Sequence, residues 1–285
     1  MTDAGPVLDN HLHLDPDRGR GLDAVADFER AGGTHLLVVN KPSWNFGVDV
    51  SAREDFEPVF DRTLEVVEEA TAFLPGRAWA VLGVHPALLS RLVDERGYTP
   101  AEAREVCQAG IDLASAYVED GRALAIKSGR PHYAVDEAVW EASNAVIRFA
   151  FERAAVVDCA VQLHTETTTD LTRVGEWAAD AGLPAERVVK HYADGHCDGV
   201  VPSVMSDTDR LRDASDRAEP FLMETDFIDD PDRPGAVRGP KTVPRRVAWM
   251  REEGYEQAVH LAHVETPARV YGIDTVETLD NLSSQ

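Results

Sequence analysis

Two histidines near the beginning of the chain are spaced as ligands of one metal ion would be. His11 and His13 lie in the stretch Asp9-Asn10-His11-Leu12-His13, which apolar neighbours make strand-like. Side chains two apart in an extended chain point the same way, so both imidazoles can reach one divalent ion. Because isolated His-x-His pairs are also found simply buried or at surfaces, the pair alone leaves that alternative open.

Further ionisable residues stand at or near the ends of predicted strands. Besides His13, they are His85, Lys127, His164, His191 and Asp226. In a barrel of alternating strands and helices, the C-terminal strand ends and the loops after them form the active site. Polar residues that end apolar strands otherwise mostly begin solvated loops. Six such strand ends among eight predicted strands favour a functional site.

The elements that must position these residues follow from the apolar pattern. Eight short apolar runs predict strands at Val7–His13, Thr34–Asn40, Ala78–His85, Ala123–Ser128, Asp158–Thr165, Arg187–Tyr192, Gly199–Met205 and Phe221–Asp226. Periodic stretches predict helices at Leu22–Ala31, Phe56–Phe73, Pro100–Glu119, Ala134–Ala155, Asp170–Ala181, Thr208–Arg217 and Thr242–Glu253.

Strands that alternate with helices predict an α/β fold, a (β/α)8 TIM barrel occupying residues 1–285 as a single domain. Such barrels have about 250 residues, which this chain accommodates. A doubly wound open sheet is the alternative fold, although no Gly-x-Gly-x-x-Gly follows the first strand to support its dinucleotide-binding version. Residues 193–198 are too few and too polar for a helix, so one crossover should be abbreviated.

The chain is strongly acidic and contains few lysines. Asp and Glu number 51 against 28 Lys and Arg, a formal charge of −23, and only four of the 28 are lysines. This composition resembles that of proteins from salt-accumulating halophiles, in which concentrated salt screens the self-repulsion. A merely acidic mesophilic protein would normally keep more lysine. Because molar salt also removes most of the counterion-release gain, the charge does not exclude a nucleic-acid substrate.

The sequence also predicts where the protein works. It has no run of about 18 apolar residues, so no transmembrane helix is expected. The N-terminus lacks the basic and apolar regions of a signal peptide. Cys107, Cys159 and Cys197 are odd in number and widely spaced, which fits neither a disulfide framework nor a CxxC zinc site. We therefore expect a cytoplasmic protein without a membrane partner.

The order of the motifs resembles the amidohydrolase superfamily of metal-dependent hydrolases, and within it the TatD-related group. The resemblance rests on His-x-His in strand 1, Gly-Val-His85-Pro in strand 3, single histidines ending strands 5 and 6, and Glu224-Thr225-Asp226 ending strand 8. It extends from Asp9 to at least Asp226. Residues 266–271 also resemble the closing helix of that group.

Strand 4 departs from the TatD pattern. TatD proteins usually carry a metal-bridging glutamate there, whereas this chain has Lys127 in Leu-Ala-Ile-Lys-Ser-Gly. The residue resembles the carboxylated strand-4 lysine of the phosphotriesterase-type branch, whose carbamate bridges two metals. A free ammonium is a poor ligand and repels cations. The alternatives are a plain lysine with fewer metals, or a residue of the core or the surface.

The resemblance divides the candidate ligands into two sets. It implies that His11, His13 and Asp226 hold the more buried ion and His164 and His191 the more exposed one, with Lys127 between them. Two divalent ions are expected, with zinc favoured and manganese, nickel or iron also suited to such ligands. A water or hydroxide between the ions would be the nucleophile, and Asp226 the general base.

Other residues are assigned with alternatives. His85, Arg130 and His132 are predicted to bind substrate. The alternatives are that His85 simply packs on Pro86 and that the other two belong to a structural loop. Glu224 is expected to hydrogen-bond a ligand from behind. His35 should be structural, and His260 and His263 should lie on a helix face. Asp229, Asp230 and Asp232 should form a solvated acidic loop, and His196-Cys197-Asp198 is a weak candidate for another metal site.

These interpretations predict a metal-dependent hydrolase that cleaves an ester, lactone, amide or phosphoester bond. Lys127 favours small molecules over DNA. The alternatives are a TatD-type 3′-5′ deoxyribonuclease and a catalytically inactive barrel that serves as a binding protein, which the missing strand-4 acid would explain. The expected partner is a small-molecule substrate or a nucleic-acid end, and assembly as a homo-oligomer is left open.

Overall fold

A computed structural model describes residues 5–233 and 238–280, in which nine parallel strands form one curled sheet. The strands are β1 Leu8–His13, β2 His35–Val39, β3 Ala78–Gly83, β4 Ala125–Gly129, β5 Ala160–His164, β6 Val188–Ala193, β7 Val201–Met205, β8 Leu222–Glu224 and β9 Phe227–Ile228. Their order in the sheet is β8-β7-β6-β5-β4-β3-β2-β1-β9. Strands that are adjacent in sequence therefore pair along most of the sheet, as the alternation of strands and helices predicts.

One short segment connects the two edges of this sheet. After β8 the chain turns at Asp226, whose φ of 47° lies in the left-handed region, and β9 then pairs with β1 through Leu12↔Phe227 and His13↔Ile228. The backbone N–H of Asp226 also donates to the carbonyl of His11 at 3.0 Å. The single eighth strand predicted at Phe221–Asp226 is thus shorter and is followed by a second pairing segment.

The helices cover the outside of the sheet. They are α1 Leu22–Arg30, α2 Glu57–Ala70, α3 Ala87–Arg96, α4 Pro100–Glu119, α5 Glu137–Val157, α6 Thr172–Asp180, α7 Thr208–Arg217, α8 Thr242–Glu252, α9 Glu256–His260, α10 Thr266–Tyr271 and α11 Thr275–Asp280. The seven predicted helices correspond to α1, α2 and α4–α8, whereas α3 was not predicted. Between β6 and β7 the described chain has no helix, which confirms the abbreviated crossover. No helix among the described residues combines the length and apolarity that a membrane crossing needs.

Local sequence explains where α4 begins. α4 starts with a capping box, in which Glu102 N–H donates to the Thr99 hydroxyl at 3.3 Å and Thr99 N–H donates to the Glu102 carboxylate at 2.8 Å. Pro100 occupies the first turn, where no intrahelical hydrogen bond is lost.

The inner face of the sheet changes from apolar to polar along the strands. Its lower layer is an apolar cluster that includes Leu8, Ala125, Ala160, Val189 and Leu222. Side chains two residues further on face the same side, and there the strands carry Asn10, Lys127, Gln162, His191 and Glu224, all buried. A polar layer therefore lies directly on an apolar one, towards the C-terminal strand ends.

Two buried histidines lie at the opposite end of the sheet. His35 is bonded to Thr34 at 2.7 Å and to Thr278 at 3.0 Å, as a structural residue would be. His263 lies in a helical turn, Leu261–Glu265, as predicted, and it is buried there with its Nδ1 accepting the Leu8 N–H at 3.0 Å. Burial lowers the pKa of each histidine to about 3.

We predict that buried His263 makes the protein lose stability in acid. Its folded pKa lies below the unfolded value of about 6.5, so the unfolded chain binds more protons and stability falls as the pH drops below that value. His263→Gln should therefore reduce the loss of unfolding free energy between pH 7 and pH 5 by about 2 kcal/mol. Urea unfolding at fixed KCl concentration, with a chelator present, measures this loss.

His260→Gln is the matched control, because His260 is exposed on the neighbouring helix. The same substitution there should leave the pH dependence unchanged. Parallel pH dependences for wild type and His263→Gln would contradict the assignment of His263 as a neutral buried group.

Candidate metal centre

Two clusters of possible metal ligands lie at the C-terminal ends of the strands. Among the described residues, His11, His13 and Asp226 form one cluster and His11, His191 and Glu224 the other, with one ligand atom of each residue within 4.8 Å of the rest. Asp226 Oδ1 lies 4.0 Å from His11 Nε2 and 3.8 Å from His13 Nε2. The structure therefore brings together residues from β1, β6 and the β8–β9 segment.

These clusters face a cavity of about 320 Å³. Among its lining residues are His13, His85, Lys127, His132, His164, His191 and Asp226, which are all predicted site residues. The lining also includes Lys41, Trp44, Asn45, Ile228 and Arg233, none of which was predicted. The cavity is large enough for a small molecule or for one end of a longer one.

Gln162 fixes the tautomer of His11. The Gln162 amide nitrogen donates to the carbonyl of Asn10 at 3.0 Å and to the hydroxyl of Tyr271 at 2.9 Å. Its amide oxygen consequently faces His11 Nδ1, 2.7 Å away, and must accept the proton that Nδ1 carries. The Nε2 of neutral His11 is left with a free lone pair.

His13 and His191 are held in the same tautomer by other partners. His13 Nδ1 lies 2.8 Å from the carbonyl of Val39, which can only accept. His191 Nδ1 lies 2.7 Å from Glu224 Oε1, which also accepts the N–H of Tyr192 at 2.9 Å. The expected hydrogen bond of Glu224 is therefore present, and Nε2 is the free nitrogen of each ring.

The residues present suit a divalent cation. His11 Nε2 and Glu224 Oε2 are buried without a hydrogen-bond partner in the described structure, which would be costly unless another group binds there. Burial lowers the pKa of His11, His13 and His191 well below the usual value, so the rings are neutral. Neutral imidazole nitrogens beside carboxylate oxygens are the ligands that zinc and similar metals bind.

A buried carboxylate that the sequence analysis missed positions Asp226. Asp9 accepts the Thr225 N–H at 3.1 Å and the Thr225 hydroxyl at 2.7 Å, and so ties β1 to the end of β8. Burial raises the pKa of Asp9 to about 7. Burial also raises the pKa of Asp226, although the charge of Lys127 lowers it in part. Asp226 is thus suited to accept a proton.

Lys127 lies inside the barrel-like sheet and only 2% of it is exposed, which excludes a surface role. Burial lowers its pKa, although the carboxylates of Asp226 and Glu224 oppose this effect. The neighbouring strands β3 and β4 approach so closely here that a Cβ on Gly83 would lie 1.9 Å from the Lys127 carbonyl oxygen. A side chain at position 83 would therefore push β3 and β4 apart.

His164, His132 and His85 lie together at one wall of the cavity. His164 Nε2 is 2.9 Å from His132 Nδ1, and the His85 and His164 ring centroids are 4.9 Å apart. His164 belongs to neither ligand cluster found among the described residues. His85 differs from the other rings, because its Nδ1 accepts the Ala87 N–H at 3.2 Å and its proton is therefore on Nε2.

Arg130 does not line this cavity. Its guanidinium donates two hydrogen bonds to the Glu166 carboxylate and one, at 3.1 Å, to the amide oxygen of Asn144, and it stacks on Trp140. These contacts hold the loops after β4 and β5 together, which favours the structural alternative. Substrate binding by Arg130 stays a prediction.

One expectation about the acidic loop was wrong. Asp229 is buried, not solvated, and its carboxylate accepts the backbone N–H groups of Asp15, Arg20 and Gly21 at 2.7 to 3.1 Å. Lys41 completes the arrangement by donating to the Asp15 carboxylate at 2.8 Å and to the Asp229 carbonyl at 2.7 Å. This network fixes the loop after β1 beside the cavity that Lys41 lines.

Nothing in the single sequence distinguished Gln162, Asn10 or Tyr271 from other buried residues. The only available signal was the position of Gln162 two residues before His164 on a predicted strand, which places both on one face.

We predict that Gln162→Leu lowers metal affinity by about 10- to 100-fold, because His11 loses the acceptor that fixes its tautomer. Gln162→Glu should retain most of the affinity, since a carboxylate can still accept from Nδ1. Competition with a chromophoric chelator measures the affinity, and thermal melting verifies folding.

Gln257→Leu, at an exposed helix position, is the control and should leave metal affinity unchanged. Equal losses in Gln162→Leu and Gln162→Glu would show that the acceptor does not matter.

Known proteins resemble this chain in sequence and in fold. The chain is 36% identical over 281 residues to the uncharacterized protein MJ1127 of Methanocaldococcus jannaschii, covering 94% of this chain and 96% of the relative. Its fold is similar to the TatD homologue YJJV of Escherichia coli, with a TM-score of 0.59 at 18% identity over 94% of this chain and 98% of that one. A mutant of a PTE-like lactonase from Deinococcus radiodurans gives a TM-score of 0.59 at 16% identity, over 93% and 95%.

The sequence model of one family, described as TatD related DNase, matches residues 8–272. That range begins at β1 and ends just after α10, and so includes every strand and each residue of the two ligand clusters. The chain therefore belongs to the TatD-related DNase family.

Proposed function

We propose that this protein is a metal-dependent hydrolase built on a single-domain (β/α)8 barrel. It cleaves an ester, lactone, amide or phosphoester bond in the cavity at the C-terminal strand ends. The observation that carries the proposal is the common tautomer of His11, His13 and His191. Each ring is held by a separate acceptor that leaves Nε2 free, beside the carboxylates of Asp226 and Glu224.

In this proposal two divalent ions, with zinc favoured over manganese, nickel or iron, occupy the site. His11, His13 and Asp226 would hold one ion and His164 and His191 the other, and Lys127 would complete the ligand set. Such ions would lower the pKa of a water molecule and would place positive charge beside the substrate oxygen next to the bond that is cleaved. Glu224, Gln162 and Val39 hold the imidazoles of the ligands in place.

The protein's own groups handle the protons. Asp226 is the proposed general base, because its carboxylate lines the cavity beside His11 and His13, where it can take a proton from a water molecule in that space. His85 presents an Nε2–H, since its Nδ1 is already used by the Ala87 N–H. It can donate this hydrogen bond to a substrate oxygen, which is the substrate-binding role predicted for it.

Lys127 is proposed to carry a carbamate. Burial lowers the pKa of its ammonium, which increases the fraction of neutral amine that can react with CO2. In that reaction the amine nitrogen bonds to the carbon of CO2 and releases a proton. The product has two oxygens and a negative charge, which the strand-4 glutamate of TatD proteins would otherwise provide. A plain lysine with fewer metals is the alternative.

A TatD-type 3′-5′ deoxyribonuclease is the second candidate, and the family match itself favours it. The two candidates are separated by testing protein reconstituted with zinc or manganese in molar KCl, the condition chosen for the acidic, halophile-like composition. Substrates are single-stranded DNA and a panel of esters, lactones and amides. We expect turnover on the small-molecule panel, and cleavage of DNA alone would reject the preferred substrate class. Less than one equivalent of bound metal would instead favour an inactive binding protein.

We predict that Lys127→Glu retains two metal ions, whereas Lys127→Ala loses at least one unless a short carboxylic acid such as acetate is added. The physical reason is that the bridge needs a carboxylate-type group at this position. Metal content is measured by mass spectrometry of the metals, and intact-protein mass spectrometry detects the added CO2 in the wild type. Lys241→Ala, at a partly exposed position outside the site, is the control. Equal metal content in wild type and Lys127→Ala would refute the bridging role.

A further inference from the structure

A second opening adjoins the cavity of the candidate metal centre. It has a volume of about 510 Å³ and shares Trp44 and Asn45 with that cavity. Beyond them it is bordered by Phe46, Arg62 and Arg18. These two adjoining spaces are the inner and outer parts of the cleft, and a substrate whose scissile bond lies at the candidate metal centre can reach the residues that the two parts share.

The aromatic residues of this cleft lie on a preformed turn. Trp44 and Phe46 belong to a 3₁₀ turn, Ser43–Phe46, that directly follows β2. Gly47 ends the turn with a φ of 67°, a conformation that favours glycine, and Val48 N–H donates back to the Ser43 carbonyl at 3.1 Å. Both aromatic rings are partly buried against the main core, so they are held in place while part of each remains accessible.

The orientation of Trp44 connects it to the reacting groups. Its ring meets the ring of His85 edge to face, with centroids 5.7 Å apart and planes at 85°. The guanidinium of Arg91 lies 4.8 Å from the Trp44 ring centroid and Arg62 lies 5.6 Å from that of Phe46. Aromatic and guanidinium planes of this kind bind other planar groups by stacking.

The charges around the cleft do not suit a polynucleotide backbone. Arg62 is paired with Asp17, Arg18 with Asp232 at 2.9 Å, and Lys41 with Asp15 at 2.8 Å. Single-stranded nucleic acids need free positive charge along the strand as well as stacking rings. Here the rings are present, whereas Arg18, Arg62 and Lys41 are each paired with a carboxylate. The other described cations that line the cleft, Lys127 and Arg233, belong to the inner cavity at the candidate metal centre and not to the outer part.

We propose that Trp44 and Phe46 form an aromatic subsite, which binds a planar ring carried by a small-molecule substrate of the metal centre. The inference rests on the proposed function, because the ring belongs to the molecule that is hydrolysed. It narrows the substrate class to esters, lactones, amides or phosphoesters that have an aromatic or heteroaromatic substituent close to the scissile bond.

The test uses ligands that need no turnover. Methylphosphonate, phenylphosphonate and 1-naphthylmethylphosphonate present the same anionic group to the metal-loaded protein with no ring, a small ring and a large ring. Calorimetry in molar KCl should show affinity rising at least about tenfold from methyl to phenyl. Trp44→Leu should abolish that rise and leave methylphosphonate binding within about twofold. Trp44→Phe should retain most of it, and Phe46→Leu should affect the naphthyl ligand most.

Phe73→Leu is the matched control, because Phe73 is an exposed ring that lines neither space. If the protein takes up metal but binds the methyl and phenyl ligands with equal affinity, the subsite is overturned and the proposed hydrolase stands. Absence of metal uptake and of any phosphonate binding would overturn both.

An eight-nucleotide oligothymidylate tests the other source of a ring. Displacement of phenylphosphonate by this oligonucleotide, dependent on Trp44 and weakened steeply by KCl, would place the ring on a polynucleotide and overturn the small-molecule assignment. Failure to displace it would support the assignment.

Discussion

The pairing of the segment after β8 with β1 is the constraint on which the site depends. Asp226 can lie beside His11 and His13 only because its backbone N–H donates to the His11 carbonyl and because Asp9 holds Thr225. The left-handed conformation of Asp226 is the local cost of that turn. Without this junction the two edges of the sheet would separate, and a carboxylate from one edge could not face imidazoles from the other.

Buried polar groups are costly, and the way in which they are satisfied explains the chemistry of the cavity. On the inner face, Gln162, Asn10 and Tyr271 form hydrogen bonds with one another in a closed network. Gln162 also bonds His11 Nδ1, so that the other ring nitrogen, His11 Nε2, is left without a partner in the described structure. An unpaired buried nitrogen would cost about 1–3 kcal/mol. A bound cation would compensate that cost, so the same network that stabilises the fold also leaves this nitrogen available to a metal.

The distribution of lysine follows the same logic. Of the four lysines, Lys41, Lys127 and Lys190 are buried and only Lys241 is partly exposed. Three of the four lysines thus lie at buried positions, where an ammonium or amine has specific neighbours. Lys41 joins the loops that contain Asp15 and Asp229 beside the cavity, and Lys127 lies among the candidate ligands. The composition therefore indicated that individual lysines matter, but not which partners they have.

The sequence by itself determined the strands, most helices and the residues at the strand ends, because local apolar periodicity and the type of side chain are written in the chain. It could place His11, His13, His191 and Asp226 near one another, since parallel strands bring their C-terminal ends together. Only the tertiary structure decided which nitrogen of each histidine is free, because that depends on acceptors such as Gln162 and Glu224 from other strands. The same holds for the burial of Asp229 and His263, and for the turn at Asp226. These features arise from contacts between segments up to 255 residues apart, which no local pattern encodes.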